Sequence, residues 1–366
     1  MKKTLLATAI AGALAASGAQ AATVYNQDGT KLDIYGNIQI AYYNFDSAVL
    51  DEDGEFTGRT ESADQIADNG TTFGFAAEHV ISEGLTGYLK LEFDDIKADE
   101  MKTASDATDS GDQAYVGLKG NFGDVRLGSY DQLIDDWIQD PITNNEGFDV
   151  SDSTAAHGAG ANQETDKVTY TSPSFSGMQF AVGTQYKGDG ESENLEDSGN
   201  ASFFGGAKYT AGAFSIAAVY DNLDNVQYLD TTTGDIDSVG DQYGVTAQYT
   251  VDTLRVALKV ERFDSDVNDD LDTNFYGLGA RYGYGMGDIY AAYQYVDLDA
   301  DSFRSIASDA IDPDTDVETG DDTFNEVILG ANYNISDAMY VWTEVAWYDR
   351  EGDDGDGVGV GVTYLF

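Results

Sequence analysis

The chain contains no cysteine, so if it is exported it must hold together without disulfides. Basic residues are scarce: 18 Lys and Arg stand against 67 Asp and Glu, for a formal net charge of -49. Such a chain repels phosphate backbones, which excludes non-specific nucleic-acid binding. Histidine occurs twice, at His79 and His157, and there is no Gly-x-Ser-x-Gly elbow or phosphate-binding loop. With no Ser/His pairing in view, an enzyme is the weaker reading, and a lone histidine on a strand is more often structural than catalytic. Beyond the N-terminal segment no run of about 18 apolar residues exists, which excludes a membrane-spanning helix but not a membrane-spanning strand.

What is present begins with an address. Lys2 and Lys3 precede an apolar stretch from Leu5 to about Ala16, and Ala19-Gln20-Ala21 supplies the small-x-small pattern of a cleavage site. Residues 1–21 read as a cleaved signal peptide. Residues 22–366 show no linker or change of pattern and read as one continuous unit.

Acidity of this degree often marks disorder, but here it coexists with 24 Tyr and 17 Phe. The charge must therefore be segregated. Two textures alternate along the chain: strand-like segments of about ten residues, and acidic stretches rich in Gly, Ser, Thr and Asp that read as loops. In the segment Leu32 to Ile40, Leu32, Ile34, Ile38 and Ile40 share a face opposite Asp33, Asn37 and Gln39. In the segment Tyr88 to Asp94, Leu89, Leu91 and Phe93 alternate with Lys90, Glu92 and Asp94.

The pattern predicts strands near 31–45, 70–80, 86–95, 112–120, 124–130, 165–172, 177–187, 201–209, 213–221, 241–250, 253–263, 274–283, 288–297, 323–333, 338–348 and 357–366. Short turns alternate with long acidic connections at 46–69, 96–111, 188–200, 222–240, 264–273 and 298–322. An even strand count with turns short on one side and loops long on the other is the pattern of an all-β transmembrane barrel, antiparallel and up-and-down. Its apolar face meets lipid and its polar face lines an aqueous lumen. Aromatics near strand ends (Tyr42, Tyr43 and Phe45; Tyr282 and Tyr284; Tyr340, Trp342, Trp347 and Tyr348) are candidates for the interfacial girdles.

The chain closes on Gly357-Val358-Gly359-Val360-Gly361-Val362-Thr363-Tyr364-Leu365-Phe366. A last strand with Tyr364 and Phe366 on its apolar face resembles the C-terminal assembly signal of outer-membrane proteins. The segments Thr30 to Gly36, Gly84 to Tyr88, Ala114 to Lys119, Phe122 to Gly128 and Val168 to Pro173, in that order, resemble the general porins of Gram-negative bacteria. The resemblance extends over essentially the whole mature chain. It implies a sixteen-stranded barrel in the bacterial outer membrane and a homotrimer embedded among outer-membrane lipids and lipopolysaccharide. It also implies passive diffusion of small hydrophilic solutes, and a third long loop that folds inward to constrict the lumen.

That loop falls at about residues 130–164 and carries Asp131, Asp135, Asp136, Asp140, Glu146 and Asp149 as candidate constriction acids. Its Trp137, Ile138 and Phe148 suit a loop packed on the inner wall rather than one bathed in solvent. The family sets arginines opposite such acids. Here the matching wall positions are Thr72, Asp112 and Gln163, and Asn145-Glu146-Gly147-Phe148 is the nearest remnant of the family's Pro-Glu-Phe-Gly-Gly stretch. Lys90, Arg126 and Lys167, each on the polar face of its strand, are the candidate wall cations. An eyelet without the usual arginines and lined by carboxylates is expected to favour cations.

Other readings stand beside this one. A substrate-selective channel, for example for oligosaccharides, would use Tyr130, Trp137 and Phe148 as an aromatic slide. An adhesin or phage-receptor role for the outer loops would be additional to a pore. No cofactor is expected. Asp-rich runs such as Asp51-Glu52-Asp53-Gly54, 266–272 and 312–316 lack the Gly and Glu spacing of an EF-hand, which leaves only loose Ca²⁺ or Mg²⁺ binding.

Overall fold

The computed structural model describes residues 21–366 apart from 51–55, 95, 100–110, 143–144, 158–164, 188–199, 230–235, 268–270 and 299–322. The signal segment, Gln163 and most of the long acidic connections lie outside the described residues.

The chain starts with β1 (Ala22–Gln27), β2 (Thr30–Leu50), β3 (Phe56–Asp68), β4 (Phe73–Ser82), β5 (Leu85–Phe93), β6 (Gly111–Gly120) and β7 (Gly123–Ser129). After a long inserted loop come β8 (Lys167–Thr171), β9 (Met178–Lys187), β10 (Asn200–Ala211) and β11 (Phe214–Asn222). A small hairpin of β12 (Gln227–Leu229) and β13 (Ile236–Ser238) precedes β14 (Gly240–Val251), β15 (Leu254–Ser265), β16 (Thr273–Gly283) and β17 (Asp288–Leu298). β18 (Thr323–Ser336), β19 (Met339–Tyr348) and β20 (Gly357–Leu365) finish the chain.

Successive strands pair antiparallel, and the sheet closes where Asn37–Phe45 of β2 meets Gly357–Leu365 of β20. The other edge of β2 takes β4 at Thr30–Gly36 and β3 from Ile40 onward. β3 and β4 thus lie end to end as one stave, β1 and β20 share the opposite edge of β2 as another, and the 18 strands of the sheet make the sixteen staves expected. Closure leaves no free edge, the condition for a sheet in lipid. Phe366 completes the last strand: its N–H and C=O each pair with Gly36 at 3.0 Å.

The two faces are inverted relative to a soluble protein. In β15, Leu258 and Val260 point outward and are more than half exposed, while Ala257, Lys259 and Glu261 point inward and are buried. In β20, Val358, Val360 and Tyr364 face out, and Gly359, Gly361 and Thr363 face in. An apolar exterior around a polar interior is what a barrel in a bilayer requires.

Two expectations need correction. The stretch 46–69 is not simply a loop: β2 runs on to Leu50 and β3 answers it from Phe56, so the sheet rises above its neighbours there. The aromatic sets also divide by strand parity. Tyr42, Tyr282, Tyr284 and Trp347 face outward, as girdle residues should, but Tyr43, Phe45, Tyr340, Trp342 and Tyr348 lie on the inward parity. Trp342 sits against Gly359 and Gly361, where an added Cβ would collide with its ring. A period of two sends adjacent residues to opposite faces, so clustering in sequence does not place them together.

Candidate functional site

The connection between β7 and β8 folds into the barrel instead of over its rim. It contains one π-helical turn, Asp135–Gln139, and a short helix α1 (Ser153–His157). Its apolar residues fix it to the wall. Ile134, Trp137 and Ile138 pack on Ala181 of β9 and on Ala217 and Val219 of β11. Ile142, Val150 and Phe148 pack on Ala257, Ala292, Ile328, Ala346 and Tyr348 of β15 and β17 to β19. The wall makes room with glycine: a Cβ at Gly244 would lie 2.6 Å from Ile138 Cγ2, and one at Gly279 would lie 2.4 Å from the Ile142 carbonyl oxygen.

Three buried carboxylates hold the loop's polar backbone. Glu344 on β19 accepts the N–H groups of Glu146, Gly147 and Phe148 at 2.5, 2.8 and 2.9 Å, together with the Tyr290 hydroxyl at 2.6 Å. Glu326 on β18 accepts the Ser151 N–H at 2.8 Å, its hydroxyl at 2.7 Å and Arg350 at 2.5 Å. Glu261 on β15 accepts the Ser153 N–H at 3.1 Å, its hydroxyl at 2.6 Å and the Gln139 amide at 2.6 Å, beside Lys259 at 2.7 Å. A loop inside a barrel would otherwise strand its main-chain donors away from water, and these carboxylates satisfy them. Strand parity put all three glutamates inward, but nothing in the sequence assigns them to the loop.

The seated loop leaves a passage of about 650 Å³ along β2 and β4 to β7, fronted on the loop side by Asp131, Asp136 and Asp140. The wall cations there are already engaged. Lys31 pairs with Asp33 at 2.6 Å and Lys119 with Glu78 at 2.5 Å. Lys90 donates to Glu92 at 3.1 Å and to Gln113 at 3.0 Å, and the Gln113 amide donates in turn to both oxygens of Asp131 at 2.8 Å. Arg126 stacks between the rings of Tyr115 and Tyr130, 4.6 and 4.8 Å from their centroids. By contrast, the side chains of Asp136 and Asp140 make no hydrogen bond or ion pair among the described residues. Partial removal from bulk water, with Asp131 alongside, pushes the Asp136 carboxyl up to about 6. The same confinement, reinforced by Asp136 and Asp131, pushes Asp140 up to about 7.

Of the six loop acids singled out in the sequence, three therefore face the passage and three do not. Asp135 is turned to the loop's own backbone, where it accepts the Gln132 N–H at 3.2 Å. Burial, with Asp152 and Glu261 near, raises its carboxyl well above the ordinary range. Glu146 is held by Tyr340 at 2.9 Å and Asn332 at 3.3 Å, and burial raises it too. Asp149 accepts the Val150 N–H at 2.8 Å, and burial with Asp152 nearby lifts it to about 7. Adjacent loop residues cannot all reach one side, and folding decides which do.

Among the candidate cations, Lys90 and Arg126 line the passage. Lys167 points inward but is only 2% exposed, covered by the Tyr130 ring. Thr72 and Asp112 carry no arginine, and Arg126, singled out in the sequence, is joined on the inner face by two arginines that were not. Besides Arg126, Arg255 on β15 and Arg281 on β16 take inward positions, with Lys208 on β10 over the Trp137 ring at 4.5 Å. The only sequence signal for these three was strand parity. Of the rings suggested for an aromatic slide, Tyr130 and Trp137 are 4% and 7% exposed, and Phe148 packs edge-on to Tyr43 at 5.6 Å. These rings anchor the loop.

Residues 7–364 match the Gram-negative porin family. The chain is 63% identical, over 100% of both chains, to a monosaccharide porin from a Halomonas species and to the major outer membrane protein of Halomonas elongata. In fold it is similar to the solved structure of the anion-selective porin from Comamonas acidovorans, with a TM-score of 0.65 and 17% identity over 92% of this chain and 100% of that one.

Proposed function

The chain belongs to the Gram-negative porin family and lies in the outer membrane, and from that premise we propose that its lumen passes small hydrophilic solutes by diffusion with a preference for cations. One observation carries the preference. Asp136 and Asp140 front the passage without a bonded partner, whereas Lys31, Lys90, Lys119 and Arg126 are each paired or ring-stacked. A permeating cation meets two carboxylates with no bonded partner, whereas an anion in the same passage meets cations already paired or stacked. At a separation of 4 Å and an effective dielectric near 20, one such encounter is worth about 4 kcal/mol before salt screening. Diffusion through such a constriction uses no catalytic group and no cofactor. The acidic outer loops would concentrate cations at the mouth and bind Ca²⁺ or Mg²⁺ only loosely. A homotrimer set among outer-membrane lipid and lipopolysaccharide is the assembly we propose for it.

A second reading is favoured by the name of the monosaccharide porin, to which this chain is 63% identical: uncharged monosaccharides would be among the solutes. Planar bilayers under a KCl gradient test the ionic preference, since a reversal potential near that of K⁺ is expected and one near that of Cl⁻ refutes it. Swelling of proteoliposomes in isosmotic monosaccharide, compared with a trisaccharide, tests the second reading.

A further inference from the structure

Arg255 and Arg281 are direct register partners across β15 and β16, and both point into the lumen. Like charges directly opposite each other destabilise a sheet pair. They do so here in a chain with 67 acids and only 18 bases, where a carboxylate is the far commoner charged neighbour. Arg281 is provided for: Asp288 lies at 3.3 Å, Glu146 at 3.8 Å, and its guanidinium stacks on Tyr290 at 4.7 Å. Arg255 is not. It makes no hydrogen bond or ion pair with any described residue, although it is half-buried on the inner face, close to the short turn that joins β14 to β15. Asp140, itself exposed, is near enough to act on its charge but closes no ion pair with it.

A guanidinium placed beside another, unpartnered and open to a water-filled lumen, is a fork waiting for an anion from solution. Its planar pair of donors matches a carboxylate in bidentate fashion. Asp140, Glu146 and Asp288 around the two arginines would repel a dianion such as phosphate. The single charge of a carboxylate is balanced by Arg255 alone, with Asp140 free to accept a hydroxyl or ammonium hydrogen from the same solute. We propose that Arg255, backed by Arg281, forms a binding subsite at the short-turn end of the lumen for small monocarboxylates bearing hydroxyl or amino groups. The proposal rests on the reading of the lumen as an open solute path.

The test is block of K⁺ current through the reconstituted protein as gluconate replaces chloride at constant potassium. Wild-type current is expected to fall saturably with gluconate. Arg255→Gln should weaken the apparent affinity by at least about tenfold, the loss of charge-assisted hydrogen bonds, and Arg255→Lys should fall between the two. Arg262→Gln, which removes an arginine paired with Asp264 at 3.0 Å at the far end of β15, should block like wild type. Unchanged block in a folded Arg255→Gln, no saturable block in wild type, or tighter block by inorganic phosphate than by gluconate would each overturn the subsite. Loss of cation preference with gluconate block intact would instead fault the selectivity reading alone. Absence of any conducting channel would remove the open path on which both depend.

Discussion

Glu344 grips the main chain at Gly147: its buried carboxylate takes the N–H of that residue at 2.8 Å and those of Glu146 and Phe148 on either side. This is where wall and constriction loop become one body. An amide in its place offers one acceptor oxygen and brings a donor toward three donors, and each hydrogen bond to a charged group contributes about 1.5–3 kcal/mol. Glu344→Gln is therefore expected to free the loop, raising open-channel current noise and lowering the temperature at which the folded band is lost on electrophoresis. Wild-type noise and thermal behaviour in this variant would show that apolar packing alone seats the loop.

Gly279 is the complementary contact on the apolar side. A side chain there cannot coexist with the Ile142 carbonyl at 2.4 Å from its Cβ, so Gly279→Val should push the loop off the wall and into the passage. Single-channel conductance should fall while the barrel still folds. A conductance equal to wild type would mean that the loop yields toward the rim instead.

Selectivity should depend on pH in a defined direction. Asp136 and Asp140 lose their protons only near pH 6 and 7, so both carboxylates are charged at pH 8 and largely neutral at pH 5. Cation preference is expected to be strong at pH 8 and to decline through that window as the pH falls. In the double substitution of Asp136 and Asp140 by Asn, the reversal potential should be weaker at pH 8 and nearly independent of pH. A double variant that keeps the wild-type pH profile would assign the titration to other groups.

Leu258 lies mid-strand on the outer face and is 57% exposed. Arginine at the lipid midplane of a barrel costs about 2–4 kcal/mol, so Leu258→Arg should lower the unfolding free energy by that amount, measured by urea titration in lipid vesicles. Conductance of the folded fraction should be unaffected. A cost near zero would place this band of β15 outside the hydrocarbon, for example against another subunit.

The sequence by itself determined the barrel. Alternation of apolar and polar residues is a local property, and with Tyr364 and Phe366 at the end of the last strand it located all sixteen staves. The same parity put Lys90, Arg126 and Lys167 inward, because a strand has only two faces and their neighbours, such as Leu89 and Val168, belong to lipid. Tertiary structure decided the site. The inserted loop has no period, so nothing local separates Asp136 and Asp140, which front the passage, from Asp135, Glu146 and Asp149, which turn to the wall. That choice is made by Ile134, Ile138 and Ile142 finding their seats and by Glu261, Glu326 and Glu344 capping the backbone. The carboxylate contacts join residues more than one hundred positions apart in the chain, and in the case of Glu344 and Gly147 nearly two hundred. The pairing of Arg255 with Arg281 is of the same kind, since a register between two strands exists only once they meet.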